Sequence, residues 1–348
     1  MPKLAQADAA VLIGRFQPFH NGHAKLLAMA LEAAPRVVVV LGSAFHARSA
    51  KNPFTWRERA AMIAATLAPQ QRARVAFVAV RDYYEDPRWA AAVRQEVEKN
   101  VPGAQRVALA GYLKDSSSAY LNLFPQWREI FISDAAEIHA TQIRDVLFEA
   151  DDIDISLAVV AALIPPAVRH YLRAWSLLAC YAPLVREHRA IKAYRAAWRG
   201  APYAPIFSTV DALVRSAGHV LLVRRGGQPG KGLWALPGGF VEQHERLLQG
   251  ALRELQEETG LAVSAAALAA ALRDVKVFDH PARSLRGRTI THAHYFDLNM
   301  DQLPALAAGD DAALARWTPI AELASMEEQF FEDHFHILDH FLRLTPEP

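Results

Sequence analysis

Two groups of side chains in this sequence have the types and spacing for phosphate chemistry. The first is His20 and His23, three residues apart in Val11-Leu-Ile-Gly-Arg-Phe-Gln-Pro-Phe-His-Asn-Gly-His23. At that spacing both can face one side of a helix N-terminus, where free N–H groups and partial positive charge favour phosphate. Gly14 and Gly22 permit close backbone approach. Imidazoles donate hydrogen bonds to phosphate oxygens and, when protonated, offset charge on a leaving pyrophosphate. The second group is Glu254, Glu257 and Glu258, which share one face of a helix. Three carboxylates so close repel one another unless a divalent cation sits among them. Their hard oxygens suit Mg²⁺ or Mn²⁺, which bind a diphosphate and activate water. Arg253 is placed to pair with Glu245 and fix the preceding loop, and Gly260 stops the helix.

These groups need elements to hold them. In the first half, β-rich runs at 9–16, 37–41, 74–80, 106–110 and 129–133 alternate with helical patterns at 22–33, 56–67, 87–99, 117–123 and 141–148. Thr55-Trp-Arg-Glu58 reads as a capping box. Alternation with near-continuous apolar strands predicts a Rossmann-like, doubly wound parallel sheet, whose ligands sit at the strands' carboxyl ends. Residues 165–199 read as a helical extension in which Tyr171, Trp175, Tyr181, Tyr194 and Trp198 pack. Gly200-Ala-Pro-Tyr-Ala-Pro205 breaks the helix. The expected domains are therefore 1–185 with an extension to about 199, a linker at 200–206, and 207–348. The second half reads as mixed α+β. It has strands at 207–214, 219–223 and 291–298, one strong helix at 245–258 and a terminal helix at 327–342. Leu248, Ala251, Leu252 and Leu255 form the apolar face that anchors the carboxylate helix.

Composition narrows the classes. The 348 residues suit two domains, and 52% apolar with 22% charged residues is globular, not disordered. Lys+Arg 38 against Asp+Glu 37 lacks the basic excess that nucleic-acid or membrane-surface binding requires. The lone Cys180 excludes an intrachain disulfide and a cysteine zinc site. The longest apolar stretch, 155–168, is interrupted by Pro165-Pro166 and falls short of a membrane span. The expectation is a soluble cytoplasmic protein, with an oligomer left open.

The string Gly-Arg-Phe-Gln-Pro-Phe-His-Asn-Gly-His resembles the His-x-Gly-His nucleotidyltransferases, in particular the archaeal-type nicotinamide mononucleotide (NMN) adenylyltransferases. The family's second motif, Ile-Ser-x-Thr-x-x-Arg, is matched at Ile138, Thr141 and Arg144, with His139 in place of the serine. Thr141 is expected to cap the helix that follows. Softer matches lie between. Arg48…Lys51-Asn-Pro-Phe-Thr-Trp56 resembles the triphosphate loop, and Arg81-Asp-Tyr-Tyr84…Arg88-Trp89 the nicotinamide pocket, with Trp89 stacked on the ring. Gly111-Tyr-Leu-Lys-Asp-Ser116 would surround the adenosine. The resemblance implies catalytic roles for His20, His23 and Arg144, and substrate contacts from Gly14, Arg15, Phe16, Arg48, Lys51, Asp82, Trp89, Lys114 and Thr141.

Gly239-x5-Glu245-x7-Arg253-Glu-Leu-Gln-Glu-Glu-Thr-Gly-Leu261 resembles the Nudix box at every defining position, and Trp234-Ala-Leu-Pro-Gly-Gly239 resembles its lead-in. That implies Glu254, Glu257 and Glu258 as metal ligands, with Glu257 catalytic. Arg224, Arg225 and Trp234 are candidate substrate contacts, whereas His292 and His294 suit core or sheet-surface roles. The order of the two halves resembles bifunctional enzymes of NAD metabolism. It implies NMN + ATP → NAD⁺ + pyrophosphate in the first half and ADP-ribose → AMP + ribose 5-phosphate in the second. Two rival readings are an adenylyltransferase for another phosphorylated acceptor and a Nudix half that senses ADP-ribose without cleaving it. The Trp89 segment and the intact carboxylate helix speak against them.

Overall fold

The apolar runs at Ala9–Gly14 (β1) and Val37–Leu41 (β2) form the centre of a parallel sheet covered on both faces, which is why neither alternates with polar residues. The computed structural model describes residues 7–112, 122–132, 138–307 and 312–347. Along the first part follow α1 (Asn21–Ala33), α2 (Trp56–Ala64), α3 (Pro69–Arg72), β3 (Val75–Ala79), α4 (Asp86–Asn100), β4 (Val107–Tyr112) and β5 (Arg128–Ile132). Then come α5 (Ala140–Glu149), α6 (Ile153–Val159), α7 (Pro166–Trp175) and α8 (Tyr181–Ala197). The sheet order is β3-β2-β1-β4-β5, with every pairing parallel. Successive side chains of β1 and β2 point to opposite faces. Leu12, Val37 and Val39 join a cluster with Leu27 of α1 and Leu147 of α5, while Val11, Val38 and Val40 join one with Val93 and Val97 of α4. The strand order reverses between β1 and β4, so the crevice at their carboxyl ends is the expected ligand site.

The capping box is present: Thr55 Oγ1 accepts from Glu58 N–H and Glu58 Oε2 accepts from Thr55 N–H. The expected helix at 117–123 lies mostly outside the described residues, as does Ser133.

The second part contains β6 (Ile206–Ser216), β7 (His219–Arg225), β8 (Trp234–Ala235), β9 (Gly238–Phe240), α9 (Leu247–Thr259), α10 (Ala265–Ala270) and β10 (Leu272–Phe278). It closes with β11 (Arg288–Asp297), β12 (Ala312–Pro319), α11 (Ile320–Leu323) and α12 (His334–Leu342). Its mixed sheet runs β10-β11-β6-β7-β12, with β6 and β11 parallel and the other pairs antiparallel. Ala251 and Leu255 of α9 are fully buried, and Leu255 packs with Ala212, Val214, Leu221 and Phe296. The expected helix at 327–342 is interrupted. A 3₁₀ turn covers Ala324–Gln329, then Phe330 bridges Trp234, Phe331 N–H donates to Trp234 O, and Glu332 takes φ +43. Pairing with β8 thus competes with the helix at the positions where it breaks.

By internal contacts the chain divides into Met1–Arg186 with Glu347–Pro348, and Glu187–Pro346. The division falls inside α8. Tyr194 and Trp198 pack on Phe207 with centroids 5.8 and 5.2 Å apart, and Arg195 Nε donates to Leu285 O. No helix among the described residues is long and apolar enough to cross a membrane.

Candidate active sites

In the first unit, the chain leaves β1 at Gly14, where a Cβ would stand 2.8 Å from the Phe16 ring. The turn folds back tightly, with Phe16 at φ +50. It delivers His20 as the N-cap of α1, whose Nδ1 accepts from the His23 N–H at 3.4 Å. That bond places the His20 proton on Nε2. The two imidazoles stack, centroids 3.6 Å apart, on one side of the helix start. Phe16 packs beneath the pair. Its side chain is buried against Phe19 and His23, so it shapes the histidine pair.

Three guanidiniums gather at this strand end. Arg15 is exposed, and Arg144 of α5 is buried, donating through Nη1 to Gln17 O at 2.6 Å and through Nη2 to Thr141 Oγ1 at 3.0 Å. Thr141 therefore receives Arg144 and does not cap α5. His139 is the N-cap, without a side-chain cap bond. Burial, then the charge of Arg15, brings Arg144 down to about 10. The third guanidinium, Arg59, was missed in the sequence. It is 1% exposed and donates to the carbonyls of Arg15, Gly42, Ser43 and Thr55. Burial lowers it to about 10, with Arg15 opposing its charge and Asp82 favouring it. Both stay protonated at neutral pH. Like charges held this close give a strand end built for an anion.

Arg59 allows a stability prediction. Arg59→Met keeps the apolar stem but takes the guanidinium donor from the carbonyls of Arg15, Gly42 and Ser43, while Thr55 O keeps the Arg59 N–H at 3.0 Å. Unpaired buried acceptors cost about 1–3 kcal/mol each, partly offset by no longer burying a charge. The melting midpoint of the first unit should fall by several degrees. ADP-ribose hydrolysis measured below that midpoint should be unchanged, and an unshifted melting curve would contradict the role.

The remaining expected contacts fall at strand carboxyl ends with mixed outcomes. Asp82 follows β3, accepts from Ser43 N–H at 3.1 Å and Ser43 Oγ at 2.6 Å, and lies 3.3 Å from His46 Nε2, so it ties the β2 and β3 ends together. Arg48 has protein partners at this strand end. Its guanidinium grips Glu58 with two bonds, 2.5 and 2.9 Å, and Pro53 O with another, so here it builds the loop after β2. Burial pushes Glu58 up, but Arg48 and Thr55 outweigh it and hold the carboxyl below its usual range. Lys51 lies on the same loop, and Trp89 in the first turn of α4, edge-on to Phe124 at 5.8 Å. Lys114 lies outside the described residues.

In the second unit, α9 starts after a loop held by Arg253. Its guanidinium bonds both Glu245 oxygens at 3.0 and 2.8 Å, Glu254 and Glu257 at 2.9 Å each, and Phe240 O at 3.2 Å. Arg253 holds the Glu245 carboxyl down at about 2. Close packing explains two glycines: a Cβ on Gly239 would meet Glu254 Oε1 at 2.4 Å, and one on Gly250 would meet Glu245 Oε1 at 2.8 Å. Gly260 ends the helix at φ +52. Glu258 turns inward and accepts from Gly238 N–H at 3.0 Å. It lines a cavity of about 270 Å³ with Gly238, Gly239, Arg225, Arg286, Phe331 and Glu332.

The three carboxylates share the helix face but do not converge. Among the described residues no group of three His, Cys, Asp or Glu stands in metal-holding arrangement. The reason is Arg253, whose Nη1 lies between Glu254 and Glu257, while Glu258 faces Gly238. The donor set nevertheless fits a hard divalent cation. Burial lifts Glu258 to about 7 and also lifts Glu254, and the charge of each neighbouring carboxylate adds to the effect. Crowded carboxylates that resist ionisation gain most from a cation.

Arg225 and Arg224 line the cavity, Arg225 with its guanidinium 4.0 Å from the Phe331 ring. Trp234 is instead buried beneath Arg316 at 4.0 Å and is not a cavity wall. His294 is buried, its Nδ1 2.9 Å from His292 O, consistent with a packing role. Two further features were not found in the sequence. The buried Arg283–Asp333 pair makes two bonds of 2.8 Å, and Asp211 accepts from Thr291 Oγ1 at 2.6 Å. Leu236 N–H donates to His334 Nδ1 at 3.0 Å, so that nitrogen carries no proton for Asp211, 3.9 Å away.

Comparison with known proteins gives a family for each half of the chain. A Cytidylyltransferase-like family model matches residues 11–145, and a NUDIX domain model matches residues 205–341. A nicotinamide/nicotinic acid mononucleotide adenylyltransferase of Acinetobacter baylyi is 34% identical over 184 residues, 53% of this chain and 94% of that protein. An ADP-ribose pyrophosphatase of Methanocaldococcus jannaschii is 31% identical over 163 residues, 47% of this chain and 85% of that one. The crystal structure of a bifunctional NMN adenylyltransferase/ADP ribose pyrophosphatase from Francisella tularensis superposes with TM-score 0.88 at 34% identity, covering 97% of this chain and 99% of that one. A second structure of the Francisella enzyme, complexed with AMP and a manganese ion, gives 0.87 at the same identity and coverage.

Proposed function

The chain belongs to the bifunctional NMN adenylyltransferase/ADP-ribose pyrophosphatase family, and on that premise we propose that it makes NAD⁺ from NMN and ATP at the β1 end and cleaves ADP-ribose at α9. The observation that carries the first reaction is the stacked His20–His23 pair at a helix N-terminus beside three guanidiniums.

In adenylyl transfer an NMN phosphate oxygen attacks the α-phosphorus of ATP, a P–O bond forms, and the bond to the leaving pyrophosphate breaks. The chain has no covalent step to perform. It must align two polyanions and stabilise charge moving onto the leaving oxygens. His20 through Nε2–H and His23 supply donors, and Arg15 and Arg144 supply positive charge. Arg144 is held by Gln17 O and Thr141, so its charge needs no reorganisation during the reaction. Trp89, in the first turn of α4, is the proposed stack for the nicotinamide ring, and Asp82 organises the loops on either side.

At the second site Glu254, Glu257 and Glu258 would hold Mg²⁺ or Mn²⁺, which when bound supplies charge neutralisation on the diphosphate and an acidified water. The Francisella structure complexed with AMP and a manganese ion supports the use of a divalent cation by this family. Arg253 would release Glu257 and keep Glu245, fixing the loop while the carboxylates turn to the cation. Arg225 and Arg286 would meet the substrate's phosphates from the opposite cavity wall. The products are AMP and ribose 5-phosphate.

The test is incubation of the purified chain with Mg²⁺ and either ATP plus NMN or ADP-ribose, followed by product chromatography. NAD⁺ with pyrophosphate in the first, and AMP with ribose 5-phosphate in the second, are expected. Absence of either product set would contradict that half of the reading.

A further inference from the structure

We propose that Gln17 is a positioning residue for adenylyl transfer, a clasp that sets the distance between the histidine pair and the loop after β2. The inference rests on the first reaction proposed above. Gln17 is 3% exposed, and its side chain binds both backbone groups of one distant residue. Gln17 Nε2 donates to Phe54 O at 2.9 Å, and Phe54 N–H donates to Gln17 Oε1 at 3.0 Å. An amide pairing this way with a peptide reproduces a short piece of sheet ladder between segments 37 residues apart. Its own carbonyl meanwhile accepts from Arg144 Nη1 at 2.6 Å.

One residue thus joins three parts of the site. Its main chain lies three positions before His20, its side chain holds the loop carrying Arg48 and Lys51, and its carbonyl seats Arg144. The loop is braced from the far side as well. Phe54 packs on Trp175 at 4.5 Å, and Trp175 Nε1 donates to Glu58 Oε1 at 3.2 Å. The Phe54 peptide is therefore fixed between Gln17 and α7. Gln17 does not touch substrate in this account. It acts by keeping Arg144 and the loop that carries Arg48 and Lys51 at a set distance from the histidines, and displacements of ~1 Å at such sites cost up to about 100-fold in rate.

Two variants test this. Gln17→Leu keeps the volume and loses both bonds. Gln17→Glu keeps the volume and the acceptor for Phe54 N–H, but faces Phe54 O with an oxygen. Steady-state kinetics below each melting midpoint should show kcat/KM for ATP falling by roughly tenfold or more, with the NMN KM within about twofold and ADP-ribose hydrolysis unchanged. Wild-type kinetics with only a lowered melting midpoint would overturn the proposal, leaving Gln17 merely structural. Equal rises in both KM values would overturn it too. If the leucine variant fails to fold by circular dichroism, the glutamate variant decides. A wild-type chain that forms no NAD⁺ would overturn the reading of the first reaction instead, an outcome distinct from unaltered Gln17 variants of an active enzyme.

Discussion

His20→Ala or His23→Ala should lower NAD⁺ formation by about 100-fold or more, the cost of removing one donor aimed at developing charge. The two rings stack 3.6 Å apart at the first turn of α1, and Phe16 and Phe19 fix the orientation of His23 from behind. The His20 variant also loses an N-cap, which costs about 1 kcal/mol of helix stability. His20→Asn separates the two effects, because asparagine restores a cap acceptor and not an imidazole. It should recover the melting midpoint while the rate stays low. The kcat for NAD⁺ formation, measured with saturating ATP and NMN, is the readout. Rates near wild type in both alanine variants would remove the histidines from the mechanism.

Glu257→Gln should reduce ADP-ribose hydrolysis by roughly two orders of magnitude, since one anionic ligand is lost from a site where the cation supplies several kcal/mol of charge stabilisation. The fold should survive. The Glu257 side chain is 57% exposed, and its pair with Arg253 is a surface i,i+4 contact worth only a few tenths of a kcal/mol. Arg253 keeps Glu245 and Glu254, so the loop before α9 stays in place. The measurement is release of AMP at saturating Mg²⁺, with a circular dichroism spectrum to confirm folding. Persistent hydrolysis in a folded protein would show that Glu257 does not hold the metal.

Much of this was legible in the sequence because the relevant contacts are local. The parallel sheet follows from β1 and β2 being apolar throughout, the helix starts from Thr55 and the His20 turn, and the carboxylate face from the spacing of Glu254, Glu257 and Glu258. Pairing of Arg253 with Glu245 was also readable, eight positions apart along the box. Long-range partners were not readable. Arg59 looks like any helical arginine until α2 aims it at the carbonyls of Arg15, Gly42 and Ser43. The partner of Arg48 was equally hidden, because Glu58, ten positions on, is what takes its guanidinium. The terminal helix reads as continuous because periodicity is blind to β8, whose pairing with Phe330 and Phe331 breaks it. Strands β10 and β12 went unread for a related reason: Val275, Val277 and Leu314 face outward on edge strands and blur the alternation.

The central claim is that one chain carries two chemically independent sites. It is tested most directly by the ratio of NAD⁺ formation to ADP-ribose hydrolysis, measured side by side on wild type, His20→Ala and Glu257→Gln. The account predicts that the ratio falls by about 100-fold in the first variant and rises by about 100-fold in the second, with the unaffected activity at its wild-type rate in each. Parallel loss of both activities in either folded variant would contradict it.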